Sequence, residues 1–237
     1  WILSSKGNDS LDGGNGWDAV VYDNSTSPVV VDLTAGTAVS TDTGNDTLTH
    51  IEYVIGTDYA DTLTGNDNDN GFLGGLGDDI IDGAAGWDYV WYGSNASAIN
   101  LNLSSGVVSS THSGTDTISS IEEVYGSNYS DVLIGDGGEN WFYPDQLGQV
   151  EFNSLAGGSD EVDGGSGDND TVSYWGTVFD GNSLTGVTVD LRPTAFDNDG
   201  YTELWGTAID PAGNTDKLTG IDLLGDIVGG VVQRSLQ

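Results

Sequence analysis

The chain of 237 residues has no cysteine and no methionine, and only four lysines and arginines together. Without Cys there are no disulfides, no thiol chemistry and no Cys-ligated zinc. Asp and Glu total 38, so the formal charge is -34. A chain this acidic repels phosphates, which excludes nucleic acid as a natural partner. It also disfavours docking on an anionic membrane. No run of about 18 apolar residues occurs, which excludes membrane insertion by a helix. The two histidines, His50 and His112, have unrelated surroundings and make no zinc site. No nucleophile motif, phosphate loop or metalloprotease signature is present, so no enzyme activity is expected. Glu122-Glu123 is no catalytic pair, because adjacent strand residues face opposite sides. The sequence opens on Trp1, which reads as a fragment or a mature product.

What is present is glycine, 37 of them, and acid at a fixed period. From Gly56 the chain reads GTDYADTLT, GNDNDNGFL, GGLGDDIID and GAAGWDYVW, four nonapeptides in unbroken register over 56–91. The same frame fits 4–21 and 126–143. It fits 155–173 with one extra residue. The eighth position is always apolar: Leu11, Val20, Leu63, Phe72, Ile81, Val90, Leu133, Phe142, Val162 and Val172. The sixth holds Asp9, Asp18, Asp61, Asn70, Asp79, Asp88, Asp131, Asn140, Asp160 and Asp170. Tandem self-similarity of this kind marks a solenoid.

The period has a physical reading. The last three residues of each repeat make a very short strand whose central side chain points inward. The first six make the turn, where glycine allows positive φ or close approach to an ion. Two repeats complete one coil, and coils stack at the strand spacing of about 4.8 Å. Asp61 and Asp79, eighteen residues apart, then lie on adjacent coils of one edge. Two carboxylates about 5 Å apart repel by roughly 3 kcal/mol at an effective dielectric of 20. A fold stabilised by on the order of 5–15 kcal/mol in all cannot absorb several such pairs. Several Ca²⁺ ions between the turns remove the conflict, since calcium takes 6–8 oxygens from carboxylates and carbonyls. Magnesium suits a carbonyl-rich turn poorly. The candidate ligands are the ten sixth-position side chains and the turn backbone at Gly7, Gly14, Gly16, Gly56, Gly65, Gly75, Gly77, Gly86 and Gly135. The expected number is roughly 6–10 ions, one between each pair of stacked turns.

The repeats resemble the RTX (repeats-in-toxin, hemolysin-type calcium-binding) family, whose unit is G-G-x-G-x-D-x-U-x with U large and apolar. Residues 13–21 and 74–82 match it at every defined position. The resemblance implies the same ion and ligands, a parallel β-roll, and type I secretion, unfolded at low cytoplasmic calcium and folded outside. The expected fold is therefore all-β, a parallel β-roll or β-solenoid forming one elongated module over 1–237 with β-rich inserts. The expected role is a calcium-dependent structural module of a large secreted or cell-surface bacterial protein. Its partners are calcium ions and neighbouring domains of a longer parent chain. The competing roles are a glycan-binding or adhesion domain and an accessory domain of a secreted polysaccharide-active enzyme or other hydrolase.

Inserts occupy 22–55, 92–125, 144–154 and 174–224. The first two are each 34 residues long and set a larger period of 70. PVVVDL (28–33) matches AINLNL (98–103) and GVTVDL (186–191), each alternating as a half-buried strand does. The segments at Ile51, Ile121 and Ile221 read as a second strand returning to the roll. Asp46, Asp116 and Asp216 are equivalent, as are Glu52, Glu122 and Asp222; they read as extra ion ligands or as hydrogen-bond acceptors for backbone. Every insert follows an even-numbered repeat, and the odd edge carries only Asp. That edge is predicted to hold the stronger row of ions. Trp17 and Trp87 share one turn position and are candidates for sugar stacking or for packing on an insert. FDNDGY (196–201) is a candidate single calcium loop, Asp210-Pro211 a turn, and the segment from Gly225 a cap.

Overall fold

A computed structural model describes residues 1–144, 160–165, 171–172, 188–193, 204–209, 215–221, 223–224 and 231–234. Asp170, Asp222, the FDNDGY loop, Asp210-Pro211 and most of 144–154 lie outside them. All described regular structure is strand, and no helix long and apolar enough to cross a membrane occurs among the described residues. The chain forms two compact units, residues 1–91 with 106–123, and 92–105 with 124–237.

In the first unit the nonapeptide ends become three-residue strands, as the period predicts. Odd repeats feed one sheet and even repeats the other. The even sheet runs Ile2–Leu3, Ala19–Val21, Tyr53–Ile55, Gly71–Leu73 and Tyr89–Trp91, all parallel. The odd sheet runs Ser10–Asp12, Gly44–Thr49, Thr37–Ser40, Val29–Asp32, Thr62–Thr64, Ile80–Asp82, Gly114–Ser119 and Val107–Ser110. One residue in each three-residue strand faces inward, and the registers align these into rungs. Val20, Val54, Phe72 and Val90 form one rung, and Val31, Leu63, Ile81 and Ile118 the other. All eight are buried, and each contributes about 1.5–3 kcal/mol by leaving water. Leu11 is only half-buried, being in the outermost strand of its sheet.

The insert 22–55 is a three-stranded meander within the odd sheet. Val29–Asp32, Thr37–Ser40 and Gly44–Thr49 pair antiparallel, while the outer two pair parallel with nonapeptide strands. The alternation of Val29 and Val31 inward with Val30 outward holds. The middle strand carries no sequence signal, because its inward residues are Ala38 and Ser40, too small or polar to mark a period. The segment around Ile51 is two strands, not one. A corner with positive φ at His50, repeated at Ser120, turns the chain from one sheet to the other.

The second unit repeats the plan. Ile99–Asn102, Val132–Ile134, Glu161–Asp163 and Thr215–Ile221 pair parallel in one sheet, with Leu101, Leu133, Val162 and Leu218 in register and Leu133, Val162 and Leu218 fully buried. Trp141–Tyr143, Thr171–Val172 and Leu223–Leu224 pair parallel in the other. The insert 174–224 also forms a meander, of Thr188–Pro193, Leu204–Ile209 and Thr215–Ile221. Val231–Arg234 adds a parallel strand to it.

Candidate metal centre

Stacking the coils lines up the sixth-position side chains. Asp79, Asp88 and Asp160 each accept a backbone N–H from the sixth position of the coil before, and Asp61 and Asp131 accept one from the insert residues Val29 and Ile99. Asp61 N–H donates to Asp79 Oδ1 at 2.8 Å, and Asp79 N–H to Asp116 Oδ1 at 3.1 Å. On the other edge, Asn70 N–H donates to Asp88 Oδ1 at 2.7 Å, and Asp88 N–H to Glu122 Oε2 at 2.9 Å. Asp9 N–H donates to Asp46, and Asp18 N–H to Glu52. In the second unit Ile99 donates to Asp131, Asp131 to Asp160 and Asp160 to Asp216. The insert acids Asp46, Asp116, Asp216, Glu52 and Glu122 therefore continue the ladders as acceptors for backbone.

Within a turn, the second residue decides what the sixth side chain has left. At Thr57 and Ser127 its N–H donates to Oδ2 of Asp61 and Asp131, each at 2.6 Å, and its hydroxyl donates to Oδ1. At Asn66 and Asp136 the N–H donates to Oδ1 of Asn70 and Asn140, each at 2.8 Å. These turns close on themselves. In three further turns the second residue takes positive φ: 86° at Gly14, 109° at Gly75 and 75° at Ala84. At Gly14 and Ala84 the N–H turns outward to the ninth residue of the preceding repeat, Asp12 or Asp82. The inner oxygens, Asp18 Oδ2, Asp79 Oδ2 and Asp88 Oδ2, are buried and receive no hydrogen bond.

Asp79 and Asp88 are 1% and 0% exposed. Burial pushes the Asp79 carboxyl up to about 7, against the donated Asp61 N–H, and the Asp116, Asp61 and Asp78 carboxylates add to the rise. Burial also pushes Asp88 up to about 7, with Glu122, Asp69 and Asp82 adding to it. Asp131, which has its full set of donors, rises to about 6. An ionised carboxylate here needs a counter-charge, and a lone buried charge is costly.

Backbone carbonyls also crowd these turns. A Cβ at Gly77 would lie 2.9 Å from the Tyr59 carbonyl oxygen, and one at Gly86 2.7 Å from that of Asn68. Only glycine lets these turns approach the turn one coil earlier. Gly56, Gly65 and Gly135 act differently: a Cβ there would strike the carbonyl of Gly74, Gly83 or Gly164 and the sixth side chain of the same repeat. Gly7 and Gly16 have φ of 130° and 120°. Among the described residues no three His, Asp or Glu side chains form a cluster, so an ion at these turns would need carbonyl oxygens as well. Calcium, with 6–8 oxygens, fits such a mixed donor set.

The two tryptophans part company. Trp17 is 52% exposed and stacks on Tyr89, which stacks on Tyr53. Tyr89 reaches Tyr53 because Gly71, the residue between them in the sheet, has no side chain. Trp87 is half-buried, and its indole N–H donates to Glu123 Oε2 at 2.9 Å. It packs on the strand after the insert, whereas Trp17 does not. Glu122 and Glu123 serve different partners, Asp88 N–H and the Trp87 indole, and form no pair. The ring of Tyr143 stacks on Tyr125.

The direction of the second-position N–H has no periodic signal in the sequence. Its marker is legible: Asp12, Asp82 and Asp163 precede Gly-Gly or Gly-Ala, and at Gly165 the N–H again meets Asp163.

The family model of the RTX calcium-binding nonapeptide repeat matches the chain in four copies, at residues 1–24, 50–81, 72–96 and 116–146. No curated protein matches it.

Proposed function

The chain carries RTX calcium-binding nonapeptide repeats, and from that premise we propose that it is a calcium-switched folding module of a large secreted or cell-surface bacterial protein. The repeats make it a calcium-binding module; the switch and the export are the reading. One observation carries it: Asp79 and Asp88 are buried with an oxygen that no donor satisfies. Ionised, they oppose folding, and ligated by Ca²⁺ they support it. Extracellular calcium sites commonly have affinities of about 10⁻⁴–10⁻³ M. Ligand-linked stability grows with free calcium relative to that affinity. The chain then stays open in a low-calcium cytoplasm, ready for type I export, and closes outside. Neighbouring domains of the parent protein supply its activity, and this module supplies their folded support.

The test is circular dichroism of chelated protein during a calcium titration. The expected result is β-structure that appears cooperatively near millimolar calcium. The same β-signal in excess chelator sinks the reading.

A second reading, glycan recognition, rests on the exposed Trp17 face and the Trp17–Tyr89–Tyr53 row beneath it. Aromatic faces of this kind stack on sugar rings. A glycan screen of the calcium-loaded chain, with Trp17→Ala as control, decides it: hits abolished by the substitution support it, and no hits remove it.

A further inference from the structure

The nonapeptides look alike in sequence, yet among the described turns two structural kinds stand out. Closed turns end with the second-position N–H donating to the sixth side chain. They are 56–61, 65–70, 126–131 and 135–140. Open turns have positive φ at the second residue and leave the inner carboxylate oxygen without a donor. The clearest are 74–79 and 83–88.

We propose that calcium is held by the open turns alone, one ion at each of Asp18, Asp79 and Asp88 in the first unit, and that the closed turns use an N–H donor in place of a cation. The inference rests on the calcium reading above and narrows it from ten candidate side chains to those in open turns.

The chemistry supports the division. An N–H group and a Ca²⁺ ion compete for the same lone pairs. At Asp61 and Asp131 three donors already engage the two oxygens: the N–H of Val29 or Ile99, the second-position N–H, and its hydroxyl. At Asn70 and Asn140 the side chain is neutral and its oxygen is engaged by the second-position N–H. Asp61 and Asp131 thus have donors on both oxygens, and the two Asn side chains carry no charge. At Asp79 and Asp88 one oxygen is engaged and the other is not. In the same repeats Gly77 and Gly86 come close to the carbonyls of Tyr59 and Asn68 one coil earlier. Turn type, rather than the odd or even edge, then decides where ions sit, since Asp79 is on the odd edge and Asp88 on the even.

Calcium stoichiometry by equilibrium dialysis of the full chain tests this. Asp79→Asn and Asp88→Asn are each expected to lose one ion, and Asp61→Asn and Asp131→Asn none. Loss of an ion from Asp61→Asn or Asp131→Asn overturns the division into two kinds of turn while leaving the calcium reading intact. No calcium bound by the unsubstituted chain removes the calcium reading itself. Should Asp88→Asn fail to fold, terbium luminescence provides the second readout. Trp87 precedes Asp88 and sensitises an ion there, so Trp87→Phe is expected to lower tryptophan-sensitised emission by a third or more with stoichiometry unchanged. Undiminished emission from Trp87→Phe overturns the Asp88 site.

Discussion

A single carboxylate shows the conflict built into each open turn. Asp79 and Asp88 titrate near 7 in the metal-free fold because burial disfavours their charge. Their unfolded value is close to the ordinary 3.8, so between about 4 and 7 the folded state binds more protons than the unfolded one. Metal-free stability therefore falls as pH rises through that window, and below about 4 the penalty is absent. Calcium needs the ionised form, so its affinity falls as pH drops below 7. The expected outcome is a reversal. In chelator the chain is more folded at pH 5 than at pH 8, and in millimolar calcium it is more folded at pH 8. Near-ultraviolet circular dichroism at the two pH values checks both halves. The sixth-position residues themselves were legible from spacing. Their hydrogen bonding was not, because the competing donor comes from the backbone direction of one residue, as the contrast of Thr57 with Gly75 shows.

At the scale of the element, the inserts splice into the roll by imitating a repeat. The strand Gly44–Thr49 pairs with Ser10–Asp12, and Asp46 stands where a sixth-position residue would. It accepts Asp9 N–H at 2.9 Å, the Ser4 hydroxyl at 3.0 Å and the buried Tyr22 hydroxyl at 3.1 Å. Burial and the nearby Asp46 carboxylate push the Tyr22 phenol up, holding it as a donor. Asp46→Ala strands these donors, at about 1–3 kcal/mol for each buried group left unsatisfied. A drop of that size or more in urea unfolding of the calcium-loaded chain is expected, and no change would mean that Asp46 is merely a solvated acid. The outer strands of each meander were legible from Val29 and Val31 or Ile99 and Leu101. The central strand was not, since Ala38 and Ser40 pack inward without an apolar signature.

Over the whole molecule, a formal charge of -34 with four basic residues leaves almost no internal counter-charge. Only three ion pairs join described residues, Lys6–Asp42, His50–Asp12 and Lys217–Glu161, and exposed pairs of this sort contribute little. Calcium, which the nonapeptide repeats bind, is then the available counter-charge. Well above the site affinity, a tenfold rise in free calcium raises unfolding free energy by about 1.4 kcal/mol for each ion released on unfolding. Denaturant midpoints measured across a calcium series should yield a slope that matches the dialysis stoichiometry. A flat series would mean that folding and binding are uncoupled.

The sequence by itself determined the repeat strands, their inward residues and the demand for a divalent cation. Those follow from a nine-residue period, in which each coil meets a near copy of itself and Leu63 must lie against Ile81. Only the tertiary structure decided which turns are open, that His50 and Ser120 make corners, and that Trp17 stays exposed while Trp87 finds Glu123. These outcomes depend on partners 18 to 37 residues away on another coil, such as Asp79 for Asp61 and Asp116 for Asp79. A local pattern places a side chain on an edge, but the donors that meet it there come from the stack.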